Sequence, residues 1–189
     1  RGNAKFNLED YQGAIDDYSK AIELDPKDVK VWGDRGNAKF NLKDYQGAID
    51  DYSKAIELDP EHPRDWLNRG YVKSILEDYQ GAIEDYSKAI KLDPKSIIVF
   101  NNRGYAKYCL KDYQGVIEDY SKVIELDPNN SLAWGLRGIA KSLLKDYQGA
   151  IDDYSKAIEI NPEYIYAYLN RGRAKSLLKD YQGAIEDYS

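Results

Sequence analysis

The chain repeats itself every 34 residues. The doublet Asp-Tyr followed by Gln-Gly begins at Asp10, Asp44, Asp78, Asp112, Asp146 and Asp180. Pro26, Pro60, Pro94, Pro128 and Pro162 keep the same step, and only Pro63 of the six prolines stands outside it. A fixed period of this size implies an array, because one such unit cannot bury its apolar face alone and must stack on its neighbours.

Two helical patterns fit within one period. From Tyr45, the residues Ala48, Ile49, Tyr52, Ala55 and Ile56 follow the spacing of a helix with one buried stripe. Asp44 precedes it as an N-cap and Pro60 closes it. The segment from about Lys30 to Leu42, with Trp32, Gly36, Ala38 and Leu42, is the expected partner helix. Asp28, Ser96 and Asn130 suit the N-caps of such first helices, whereas His62 and Tyr164 are weak caps.

These residues carry a resemblance to the tetratricopeptide repeat family. Its pattern of aromatic, Gly, then Ala, aromatic, Ala and Pro is met by Trp32, Gly36, Ala48, Tyr52, Ala55 and Pro60, and again by Trp66, Gly70, Ala82, Tyr86, Ala89 and Pro94. The resemblance covers the whole chain and implies an all-α fold, a right-handed superhelical solenoid of stacked antiparallel helix pairs. Residues 1–189 are expected to form a single array. A partial repeat 1–28 precedes full repeats 29–62, 63–96, 97–130 and 131–164, and a partial repeat 165–189 follows. Arg1 and Ser189 fall in the middle of helices, so a longer array or end-to-end stacking of copies is expected. The family's turn glycine is replaced throughout, by Glu9, Lys43, Glu77, Lys111, Lys145 and Lys179.

Composition narrows the function classes. The net charge of −6 argues against nucleic acid as the main partner, since phosphate binding needs a clustered basic surface. No apolar run is long enough for a membrane span. The single cysteine, Cys109, cannot form an internal disulfide, and one His and one Cys leave no zinc site or Cys/His catalysis. No cofactor, metal or catalytic residue is expected, and the carboxylates look ladder-like rather than isolated in apolar pockets. Targeting cannot be read from a chain that begins with Arg1, so the cytoplasm is only the default expectation.

The repeat supplies its own internal comparison: residues that recur in every copy are explained by stacking, and those that vary are not. Twelve of the 18 tyrosines recur at two phases, leaving Tyr71, Tyr105, Tyr108, Tyr164, Tyr166 and Tyr168. The Arg column (Arg1 to Arg171) and Lys column (Lys5 to Lys175) recur beside the turn aspartates and acidic doublets such as Asp50-Asp51. Such matched columns are expected to form ion pairs between neighbouring repeats rather than an anion-binding stripe. The invariant glycines of the second helices, Gly13 to Gly183, imply close backbone approach at the cost of about 1 kcal/mol in helix propensity.

The resemblance further implies that the first helices line a concave groove that takes peptide segments of partner proteins. The residues carried onto that groove are Asn68, Tyr71, Asn101, Asn102, Tyr105, Tyr108, Leu136, Ile139, Tyr166 and Asn170. The aromatic and aliphatic ones are expected as anchors, and the asparagines as partners for a ligand backbone. The carboxylate clamp that some members use on chaperone C-termini is not met. Asn37 and Asn68 are kept, but Gly33, Ile98 and Asn102 stand where cations are needed. The function expected is a non-catalytic scaffold for protein or peptide partners. The alternatives are a module that self-associates through its ends and a targeting or regulatory arm of a larger enzyme.

Overall fold

The computed structural model describes residues 1–189 as twelve α-helices with no strand. The chain divides into two compact units, Arg1–Val99 and Phe100–Ser189. The first contains α1 (Gly2–Asn7), α2 (Tyr11–Leu24), α3 (Val29–Asn41), α4 (Tyr45–Leu58), α5 (Pro63–Ile75) and α6 (Tyr79–Leu92). The boundary falls within the first turn of α7 (Ile97–Cys109). The second unit continues with α8 (Tyr113–Leu126), α9 (Ser131–Leu143), α10 (Tyr147–Ile160), α11 (Ile165–Leu177) and α12 (Tyr181–Tyr188). Odd-numbered helices are the first of each pair and even-numbered helices the second. In the first unit α3 packs between α2 and α4, and α5 between α4 and α6. In the second, α9 packs between α8 and α10, and α11 between α10 and α12. No helix is long and apolar enough to cross a membrane.

The second helices start where the aspartates place them. Asp44 Oδ1 accepts the Gly47 N–H at 3.0 Å, and Asp10, Asp78, Asp112, Asp146 and Asp180 do the same for the glycine three residues on. This accounts for the recurrent glycine: a Cβ on Gly47 would collide with the capping carboxylate. The glycine carbonyl is used as well, accepting from the Lys column, as in Lys141 Nζ to Gly149 O at 3.3 Å. Among first helices, Asp28 and Asn130 cap with their side chains, while His62 and Tyr164 make no side-chain cap bond.

The turn between paired helices keeps a left-handed residue although no glycine is there. Glu9, Lys43, Glu77, Lys111, Lys145 and Lys179 all lie at φ between 62° and 66°. In the second copy the Lys43 N–H donates to Phe40 O and the Asp44 N–H to Lys39 O, both at 2.9 Å. This is the hydrogen-bond pattern of a Schellman ending. These bonds hold a non-glycine residue in a conformation that costs about 1–2 kcal/mol.

The core follows the repeat. Tyr52, Tyr86 and Tyr154 are almost completely buried, each ring lying over a first-helix glycine. A Cβ on Gly36 would stand 2.8 Å from the Tyr52 ring, so the helices could not approach as they do with any larger residue. Ala48, Ala55, Ala82, Ala89, Ala150 and Ala157 fill the remaining contact faces and are fully buried.

The charge columns pair differently from the sequence expectation. Arg35 grips Asp51 through Nε and Nη2, and Lys39 Nζ reaches the same carboxylate at 2.9 Å. These partners belong to the two helices of one pair, α3 and α4. The link to the preceding repeat is a neutral acceptor, with Arg35 Nη1 donating to Ser19 Oγ at 3.0 Å. The same arrangement joins Arg137 to Asp153 and Ser121, with Lys141 on Asp153. In five of the six doublets only the second acid is buried: Asp51, Asp85, Asp119 and Asp153 are at most 2% exposed, with Asp187 at 8%, while Asp17 is half-buried. A carboxylate at that depth needs two cations and bidentate geometry to offset its desolvation. From Arg35 and Lys39 onward the Arg and Lys columns are therefore consumed within the helix pairs.

Candidate functional site

Four of the sequence-derived groove residues meet in one place. In the second unit Tyr105 and Tyr108 of α7, Leu136 and Ile139 of α9, and Val116 and Tyr120 of α8 line an apolar cleft of about 240 Å³. The helical spacing explains the convergence: positions three apart on α7 and on α9 each lie on one helix face. Val116 and Tyr120 are deeply buried and form the floor. Burial pushes the Tyr120 hydroxyl up to about 12, with the nearby Asp119 and Tyr164 acting in the same direction. Tyr105 and Tyr108 stand at the mouth, 56% and 44% exposed. The Tyr108 ring is held 6.0 Å, centroid to centroid, from Tyr113. Large rings half open to solvent beside an apolar floor are costly to leave uncovered and typical of binding anchors.

The other groove residues are not brought into this cleft. Asn101 and Asn102 are half-buried on α7; Tyr166 is 70% exposed on α11, with Asn170 half-buried on the same helix. In the first unit Tyr71 is 46% exposed, its ring 5.7 Å from Phe40. Asn68 has its amide committed within the protein. Its Nδ2 donates to Asn37 Oδ1 at 3.2 Å, an oxygen that also accepts the Tyr52 hydroxyl at 2.8 Å. Cys109 is a half-buried free thiol.

Sequence reasoning missed a second cleft, of about 340 Å³, in the first unit. Its wall includes Gly33, Asp34, His62, Arg64, Asp65 and Asn68. Asp65 is only 4% exposed, a buried carboxylate that belongs to none of the recurring acidic columns. Burial holds its carboxyl above the usual range despite His62, whose Nδ1 lies 2.7 Å from Oδ2. His62 is thus tied to a buried acid rather than being a bare turn residue. The signal was present in the sequence: the other copies have Val31, Val99, Ala133 and Ala167 at this phase. No group of three His, Cys, Asp or Glu residues is placed to hold a metal ion.

Comparison with known proteins agrees with the helix-pair fold. A profile of the tetratricopeptide repeat matches residues 29–62, 97–130 and 131–164, a related TPR repeat profile matches 2–43 and 75–111, and a third tetratricopeptide repeat profile matches 154–186. No curated protein matches the chain in sequence. Among solved structures, a MamA protein superposes with a TM-score of 0.81 at 26% identity, covering 85% of this chain and 87% of its own. YrrB, described as a TPR protein with an unusual peptide-binding site, superposes with a TM-score of 0.80 at 21% identity, covering 90% of this chain and 88% of its own. PilF of Pseudomonas aeruginosa reaches 0.75 at 19% identity, covering 98% and 85%. The helix-pair solenoid fold is common to all three.

Proposed function

We propose that this chain, which belongs to the tetratricopeptide repeat family, is a non-catalytic scaffold that holds a peptide segment of a partner protein against its first helices. The observation that carries the reading is the apolar cleft of Tyr105, Tyr108, Leu136 and Ile139. Its volume suits one large aliphatic or aromatic side chain of the ligand, with Tyr105 and Tyr108 closing over it. Asn101 and Asn102 on the same helix, and Tyr166 and Asn170 on α11, serve as flanking polar and aromatic contacts. Tyr71 plays the corresponding role in the first unit. The peptide-binding site for which YrrB is described lends support from a protein of the same fold.

Selection of a random peptide library on the intact chain tests this. Enriched peptides should share an apolar residue, and their affinity should fall about tenfold or more on Tyr105→Ala/Tyr108→Ala, the usual loss for truncating aromatic anchors. Equal affinity for wild type and variant would refute the cleft as the anchor.

A further inference from the structure

We propose that the polar cleft of the first unit is a separate binding site for a cationic nitrogen, a primary ammonium, held by Asp34 and Asp65. The inference goes beyond the apolar cleft and does not depend on it.

It begins from three copy-specific residues. Asp65 occupies a core position that is Val or Ala in the other copies, Asp34 stands where Asn68, Asn102 and Asn170 recur and Leu136 interrupts, and His62 stands at the cap position of Asp28 and Asn130. All three line the same cleft, together with Gly33, a phase at which Gly135 is the other glycine. A Cβ on Gly33 would stand 3.0 Å from Asp65 Oδ1, so the missing side chain is the space into which that oxygen points. Burying a carboxylate with a single histidine as its partner costs the fold stability.

The unmet valences face the opening. Asp65 Oδ2 is held by His62, but Oδ1 takes part in none of the chain's hydrogen bonds or ion pairs although the residue is 96% buried. Asp34 is half-buried and likewise unbonded. Desolvation raises the carboxyl of Asp34, and Asp65 adds repulsion, against the opposing pull of Lys30 and Arg64. Those two cations are exposed at the rim, so the acids lie deeper than the bases. Asn68 also lines the wall, its Nδ2 donating to Asn37 Oδ1. The wall therefore offers acceptors and negative charge at depth, which an N–H₃⁺ group would satisfy. Two carboxylates without a third ligand do not make a metal site.

A lysine side chain and a free chain N-terminus supply the same group, and probes separate them. Amide chemical shifts of Gly33 and Asn68 would be followed by NMR in the intact chain at pH 7. The probes are acetyl-Gly-Lys-Gly-amide, Gly-Gly-Gly-amide with a free amine, the neutral acetyl-Gly-Gly-Gly-amide and the acidic acetyl-Gly-Glu-Gly-amide. At least one ammonium peptide should bind saturably and the neutral and acidic peptides should not. Asp34→Asn and Asp65→Val should each weaken binding tenfold or more, while Tyr105→Ala/Tyr108→Ala leaves it unchanged. Asp65→Val installs the residue found at this phase in other copies; if it does not fold, Asp34→Asn alone decides. Absence of ammonium binding, equal binding of the neutral or acidic peptide, or undiminished binding by Asp34→Asn would overturn the proposal.

Discussion

Arg35 and Asp51 meet side on, Nε to Oδ2 at 2.8 Å and Nη2 to Oδ1 at 2.7 Å, with the carboxylate only 2% exposed. The same grip joins Arg137 to Asp153. Arg137→Met should therefore destabilise the chain by about 3–5 kcal/mol, the cost of leaving a buried charge half-paired. Converting all three members, Arg137→Met, Lys141→Met and Asp153→Leu, should recover most of that loss. Urea unfolding followed by circular dichroism measures both, and a triple variant no more stable than the single one would contradict the account.

Gly149 and Asp146 form a cap in which the glycine makes room for the carboxylate. Gly149→Ala should destabilise by about 1 kcal/mol even though alanine favours helix by a similar amount, because the cap bond is displaced. Asp146→Ala should cost about 1 kcal/mol. The double variant should cost less than the sum, since both changes remove the same bond. Strict additivity in the double-mutant cycle would sink the shared-cap explanation.

Lys43, Lys111 and Lys145 sit in the left-handed region, at φ of 63°, 62° and 66°. Replacing each by Gly should raise stability by several tenths to about 1 kcal/mol, the relief of left-handed strain less the glycine's extra freedom in the unfolded chain. A thermal melt of the triple Gly variant should lie above wild type. A lower melting temperature would mean that the lysine stems hold the turn by contacts worth more than the strain.

Asp65 gives the stability a pH dependence. Burial raises its folded-state carboxyl above the unfolded value, with His62 opposing. A group raised in this way favours the fold fully below the unfolded pKa of about 3.9, and that contribution is lost as pH rises through the folded pKa. Asp65→Asn should therefore be more stable than wild type at pH 7, with the advantage shrinking as pH falls toward about 4. Parallel melts of the two proteins from pH 7 to pH 4 measure the difference, and a gap that widens in acid would contradict the sign.

Most of the helical framework was legible because the chain writes it several times over. Asp44 before Tyr45 and Pro60 after Leu58 bracket α4, and the other copies repeat the bracket. The weak caps His62 and Tyr164 were legible as well. The turn conformation was not, because a lysine or glutamate at Lys43 or Glu77 carries no sign of positive φ; hydrogen bonds set by the helix ending impose it. Ion-pair direction was hidden too, since columns alone do not say whether Arg35 reaches Asp51 or an acid of the next repeat. The separation of framework from variable residues also reaches a limit at the apolar cleft. Its mouth is made by copy-specific Tyr105 and Tyr108, but its floor is Tyr120, a recurring residue that lies in a core column. Asp65 escaped notice because alone it looks like a single substitution, and only its approach to His62 and Gly33 in space makes it part of one feature.

The central claim is that copy-specific residues on α7 and α9, over a shared floor, bind a partner's apolar side chain. Titration calorimetry of a library-selected peptide tests it on a swap variant, Tyr105→Asn/Tyr108→Ser/Leu136→Asn, whose new residues are those at the same phases in other copies, Asn37, Ser74 and Asn68. The account predicts an unchanged helical spectrum and affinity reduced by about a hundredfold, near 3 kcal/mol for anchors of this size. A swap variant that binds the peptide as tightly as wild type would contradict it.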